Sequence, residues 1–217
     1  MFDFHRHISS STKIDNALYN TSSIEEWDYS AKYFSIGILA NNLNEKNNFY
    51  LDKMEEYLLN NKALHIGEIG LDNRFENIKK QTDFFIQTLK LAYKYDRIFT
   101  IHIVKNNDLL LKILRDNKSQ LPKHIIYHGF NKSIELAKDL QQFNTTVSIN
   151  PKIINTKLIN NIKELDKIGF LVESDWDKKS DIGYNKYFSS FVNLLEENGA
   201  SYFKDVNNEF RSILEDF

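Results

Sequence analysis

Short apolar runs rich in β-branched residues alternate along this chain with longer amphipathic segments. The runs at 2–8, 33–39 (YFSIGIL), 63–71 (ALHIGEIGL), 98–104 (IFTIHIV), 124–130 (HIIYHGF), 145–150 (TTVSIN) and 169–175 (GFLVESD) read as strands. The segments between them, at about 49–61, 76–95, 106–116, 131–142 and 155–165, read as helices. Two more helices follow the last strand, at about 183–198 and 201–215. In the segment QTDFFIQTLKLAYKYD, Phe84, Phe85, Thr88, Leu89, Leu91 and Ala92 repeat at helical spacing, with lysines opposite. Strand then helix, repeated, predicts parallel strands joined by right-handed crossovers. The spacing suits a closed α/β barrel of the TIM type. An open doubly wound sheet is the alternative, but its G-x-G-x-x-G turn is absent. Seven strands are clear and a regular barrel has eight. The eighth is short or missing, and DNALYNT (15–21) is its candidate. The first crossover is therefore expected to be eroded and the barrel distorted.

Composition narrows the class. The chain has 217 residues, 41% hydrophobic and 27% charged, which fits a single globular domain over 1–217. No apolar run reaches the roughly 18 residues of a membrane span, so no membrane partner is expected. Position 2 leads straight into a strand-like run, so no secretory leader is expected either. The absence of cysteine excludes disulfides, thiolate metal sites and a cysteine nucleophile, and fits a cytoplasmic location. A net charge of −2 makes any attraction to phosphate a local matter.

The segment FDFHRHI (2–8) places two histidines two apart in a strand. His5 and His7 then share a face, with Asp3 beside them. Taken singly this is either a ligand pair or a polar strand edge. The other strand ends change the balance. Barrel chemistry gathers at the C-terminal ends of the strands. There the chain carries Glu68, His102, His128 and Asp175, each flanked by apolar neighbours. An imidazole or carboxylate in such surroundings is costly without a partner. Four imidazoles and two carboxylates converging on one mouth suit zinc, manganese or a similar divalent ion, and suffice for two. His65 lies three before Glu68, so strict alternation turns it outward. His124 lies at the closed floor. Glu173 shares the parity of Asp175 one layer deeper, as a floor residue orienting a histidine.

The motifs DFHRH, IGEIGLD, LKLA followed by IFTIH, YHGF and LVESD occur in an order that resembles the TatD family of metal-dependent hydrolases. The closing NNEFRSIL is similar to that family's Asn-x-x-x-hydrophobic helix. The resemblance covers nearly the whole chain. It implies an amidohydrolase-like barrel and a deoxyribonuclease that uses magnesium, manganese or zinc, often on 3′ ends of single strands. By the same resemblance, His5, His7 and Asp175 hold one ion, His102 and His128 the other, and Glu68 bridges. Asp175 and Glu68 are then the catalytic carboxylates. The chain departs from the family at GILANN, where Gly-x-His-Pro is common, at HIVKNN, and at WDKK after Asp175.

A ring of cations follows successive strands: Arg6 or Lys13, Lys46, Arg74, Lys105, Lys132, Lys152, Lys178 and Lys179. Arg74, Lys105 and Lys132 are the candidate phosphate contacts. Phe75, Phe130, Trp176 and Tyr184 are candidates for stacking bases, Trp176 foremost. The substrate expected is DNA, single-stranded or at ends. The alternatives are a small amide, ester or lactone, or a metal-holding barrel that serves as a subunit of a larger assembly with an unknown protein partner.

Overall fold

The computed structural model describes residues 1–8, 15–27, 31–43, 47–60, 64–178 and 180–217. Its strands are β1 (Asp3–Arg6), β2 (Ala17–Asn20), β3 (Phe34–Ile36), β4 (Leu64–Asp72), β5 (Phe99–Val104), β6 (Ile125–Tyr127), β7 (Thr145–Ile149) and β8 (Leu171–Val172). Neighbours pair in chain order and every pair is parallel. The last strand returns to the first. Asp175 N–H donates to His5 O at 3.0 Å, His7 N–H donates to Trp176 O at 3.0 Å, and Arg6 bridges Trp176. The result is a nearly closed TIM-type barrel. The eighth strand is the short β2, at the place expected, and no described residue between β1 and β2 is helical.

The helices are α1 (Asn47–Asn60), α2 (Ile78–Lys94), α3 (Asn107–Asp116), α4 (Ile134–Gln141), α5 (Ile162–Ile168), α6 (Tyr184–Glu197) and α7 (Phe203–Glu215). Helix α2 buries Phe84, Phe85, Thr88, Leu89 and Ala92, the face its periodicity predicts. The segment expected to be helical from 155 instead forms two 3-10 turns, Pro151–Asn155 and Lys157–Asn161, before α5. Asn150 and Thr156 explain the break. Their side chains accept from the Lys152 and Leu158 N–H groups, so each turn carries its own cap. Helix α7 closes the barrel floor. Phe210 meets Phe4 edge-on at 5.5 Å, in a cluster with Leu18, Ile126 and Leu171. Asn207 fixes it there by accepting from Val172 N–H and donating to Phe170 O.

Two bulges break strict alternation. Between Asp3 and Arg6, β1 spends three steps against two on β2. Asp3 therefore leaves the face of His5 and His7, where alternation placed it. It accepts from the Tyr184 hydroxyl of α6 at 2.8 Å and from Ser174 N–H at 2.8 Å. A second bulge lies between Ile66 and Ile69 of β4, just where Glu68 sits. It overturns the outward placement of His65. That residue pairs with Ser35 in the barrel wall and meets Phe217 edge-on at 4.9 Å, on the floor side. Gly37 and Gly70 make room for the bulged strand. A Cβ at Gly37 would lie 2.2 Å from Glu68 N, and one at Gly70 would lie 2.0 Å from His102 O.

Candidate metal centre

The bulge in β4 aims Glu68 into the barrel axis, where it is fully enclosed. Its two oxygens divide between two groups of histidines. Oε2 lies 3.4 Å from His5 Nε2 and 3.9 Å from His7 Nε2. Oε1 lies 2.6 Å from His102 Nδ1 and 2.8 Å from His128 Nε2. His7 Nε2 also stands 3.4 Å from Asp175 Oδ1. The six residues singled out as ligands thus meet in one place. His5, Glu68 and His128 present ligand atoms within 4.8 Å of one another, as do His5, His7 and Asp175.

The charges explain one another. Burial pushes the Glu68 carboxyl up, but His128, His5 and His102 outweigh it and hold Glu68 well below the ordinary carboxylate range. Burial pulls His128 down, and Glu68 with Glu173 reverses that, so its pKa is raised well above the usual value. His5 is lowered, by burial first and then by the charge on His128. Asp175 is depressed: burial opposes this, but the His7 hydrogen bond and the charges of His128 and His5 prevail.

The donors fit divalent metal. Both ring nitrogens of His5 and Oε2 of Glu68 are buried without a hydrogen-bond partner among the described residues. Buried polar atoms left unpaired are costly. Imidazole nitrogen and carboxylate oxygen are the donor set for zinc, manganese or magnesium.

Glu173 lies beneath the ligands. It accepts from Gly129 N–H at 2.8 Å and Asn150 Nδ2 at 2.9 Å, pairs with the Ser148 hydroxyl, and stands 3.4 Å from His128 Nδ1. Such a carboxylate fixes ring orientation. Asp175 has φ 51, in the left-handed region that non-glycine residues seldom adopt. The backbone bonds that close the barrel hold it there. Lys152 pairs with its outer oxygen.

A cavity of about 490 Å³ opens above the ligands, and Arg74, Lys105, Lys132 and Lys152 help line it. Three of the predicted cations, Lys13, Lys46 and Lys179, lie outside the described residues. Arg6 is not at the mouth. It is buried beneath the Tyr184 ring, 4.0 Å from its centroid, and pairs with Asp181. Arg74 grips Asp72 through Nε at 2.9 Å and Nη2 at 2.5 Å. Trp176 is only 4% exposed, against Tyr184 and Tyr187, and does not line the cavity. Its backbone bridges to Arg6 and closes the barrel, which commits the ring to the α6 side. Phe130 and Tyr184 are also buried, so among the stacking candidates Phe75 alone is exposed. Sequence reasoning missed Asp72, 3.4 Å from His102 Nε2, and the Ser148–Asn150 support of Glu173. Asp72 shares the parity of Glu68 in GEIGLD, which was its signal.

Comparison with known proteins agrees with this geometry. The profile of the TatD related DNase family matches residues 3–212. The chain belongs to the TatD family. YJJV, a TatD homologue from Escherichia coli k12, superposes with a TM-score of 0.68 at 19% identity, covering 87% of this chain and 83% of that one, a likeness of fold. An uncharacterized metal-dependent hydrolase of Methanocaldococcus jannaschii is 29% identical over 101 residues, which is 46% of this chain and 39% of that relative. The match to the archaeal relative, itself described as a metal-dependent hydrolase, spans well under half of that protein's length. No described helix is long and apolar enough to cross a membrane.

Proposed function

We propose that this TatD protein hydrolyses phosphodiester bonds of DNA, on single strands or ends, with two divalent ions. The observation that carries the reading is the division of Glu68 between two histidine groups under a cavity lined by four cations. His5, His7 and Asp175 would hold one ion and His102 with His128 the other, with Glu68 between. When bound, such ions supply Lewis-acid charge at a phosphoryl group and lower the pKa of water toward neutrality. Asp175 stays ionised at working pH and accepts the proton of the attacking water. Glu173 holds the His128 ring in place from below. Lys105 and Lys132 would meet the phosphates, and Lys152, with a side chain 70% exposed, stands paired with Asp175 at the edge of the same cavity. A neutral amide or lactone would make no use of these cations.

The test is a cleavage assay. The protein with manganese or magnesium should shorten a single-stranded oligodeoxynucleotide. Asp175→Asn should abolish this while leaving the circular-dichroism spectrum unchanged. Cleavage that survives the substitution defeats the mechanism. Hydrolysis of a lactone or amide, with DNA left intact, defeats the substrate assignment.

A further inference from the structure

Burial of Trp176, Phe130 and Tyr184 leaves Phe75 as the one exposed ring among those expected to meet bases. A second cavity offers another. It measures about 510 Å³ and is walled by Pro151, Ile154, Tyr187, Phe191 and Leu194, with Lys186 among its lining residues. Tyr187 is 38% exposed and Ile154 47%, high values for side chains of their size.

Two features link this groove to the metal centre. In the turn after β7, Asn150, Lys152 and Ile153 line the central cavity while Pro151 and Ile154 line the groove. Trp176, next in chain to Asp175, packs its ring 5.3 Å from that of Tyr187. The Tyr187 hydroxyl lies within electrostatic reach of Lys152 and Asp175. The two cavities share no lining residue, and the turn at 150–154 contributes to both, so a strand leaving the centre would reach the groove across that turn.

We propose that this groove is a nucleobase subsite for the DNA strand cut at the metal centre. A base stacks on Tyr187 against the apolar wall of Pro151 and Ile154, and the neighbouring phosphates meet Lys152 and Lys186. The chemistry suits one occupant. A nucleotide joins a flat apolar face to an anion, and the groove joins an aromatic and aliphatic wall to cations. Stacking accepts any base, so little sequence preference results. The inference rests on the nuclease reading above and names where that substrate is held.

Tyr187→Ala should raise the KM for a short single-stranded oligodeoxynucleotide about ten-fold, with kcat nearly unchanged. Tyr187→Phe should restore it. Removing a base from the oligonucleotide near the cut should cost the wild type the same factor and cost Tyr187→Ala little more, a coupling that general damage does not produce. An unchanged KM in both Tyr187→Ala and Ile154→Ser overturns the subsite, even with DNA cleavage intact. So does a wild-type dimer that Ile154→Ser dissociates, because the groove is then a contact between copies. If the wild type fails to cut DNA, the nuclease reading falls separately. Equilibrium binding of the same oligonucleotide then decides: ten-fold weaker binding by Tyr187→Ala supports the subsite, and equal or absent binding overturns it.

Discussion

His65 should make the fold acid-sensitive in a way that one substitution reveals. The ring is fully buried on the barrel floor. Its Nδ1 accepts from Ile98 N–H at 3.4 Å, and its Nε2 has no hydrogen-bond partner among the described residues. A proton added to the ring would be buried beside Phe217 with no acceptor for it among the described residues. Burial first, then the charges of Arg97 and His124, lower the pKa from 6.5 to about 3. The unfolded chain therefore binds this proton more readily than the folded one. Stability from neutral His65 is fully present above about pH 6.5 and is lost as pH falls from there toward about 3. The slope is about 1.4 kcal/mol per pH unit, so about 2 kcal/mol is gone by about pH 5. His65→Asn keeps an acceptor near Ile98 N–H and cannot titrate. It costs packing at every pH, and that cost cancels in the comparison. Urea unfolding of both proteins near pH 7.5 and pH 5 measures the effect. The wild type should lose about 2 kcal/mol more than the variant. Groups other than His65 contribute equally in the two proteins and drop out of the comparison. Parallel losses in the two proteins would refute the argument.

Three further outcomes follow from the site. Glu173→Gln should weaken manganese binding about 10- to 100-fold by calorimetric titration, because the group orienting His128 loses its charge. Gly70→Ala should destabilise the fold by about 3 kcal/mol or more in urea unfolding. Its Cβ would lie 2.0 Å from His102 O, and two paired strands cannot separate to admit it. Lys105→Ala with Lys132→Ala should flatten the salt dependence of oligonucleotide binding by about 0.7 in log–log slope per lysine. An unchanged slope would mean that neither reaches a phosphate.

The barrel was legible because its strands and crossovers obey simple periods. The runs at 98–104 and 145–150 became β5 and β7 with little change of boundary. The candidate ligands were legible because polar side chains recur at the ends of apolar strands, with Glu68, His102 and His128 each flanked by apolar neighbours. Side-chain direction was less legible where the chain departs from regular geometry. Asp3 and His65 were each assigned a face by counting in twos, and each count crosses a bulge. The aromatic candidates failed for another reason. Position after a strand says that a residue is near the mouth, not whether barrel closure or a neighbouring helix has already taken its side chain. Trp176 and Tyr184 were claimed by the β1–β8 seam and α6.

These departures fall at the candidate metal centre. Regular parallel strands bring alternate side chains to fixed levels, and the level reached is set by register. Gathering His5, His7, Glu68, His102, His128 and Asp175 around one carboxylate requires some strands to be re-aimed. The chain does this with one extra residue in β1 just before His7, one in β4 beside Glu68, and a left-handed backbone at Asp175. Lys105, three residues beyond His102, is also left-handed, at φ 56. Each feature weakens a local ladder or strains a residue, by of order 1 kcal/mol or more at the non-glycine left-handed positions. The surrounding barrel must impose them. The glycines that accommodate the β4 bulge belong to the same arrangement, since a side chain at Gly37 or Gly70 would strike the backbone of Glu68 or His102. On this account Gly37 and Gly70 matter as much to the centre as Glu68 itself, because they let its strand leave the regular path.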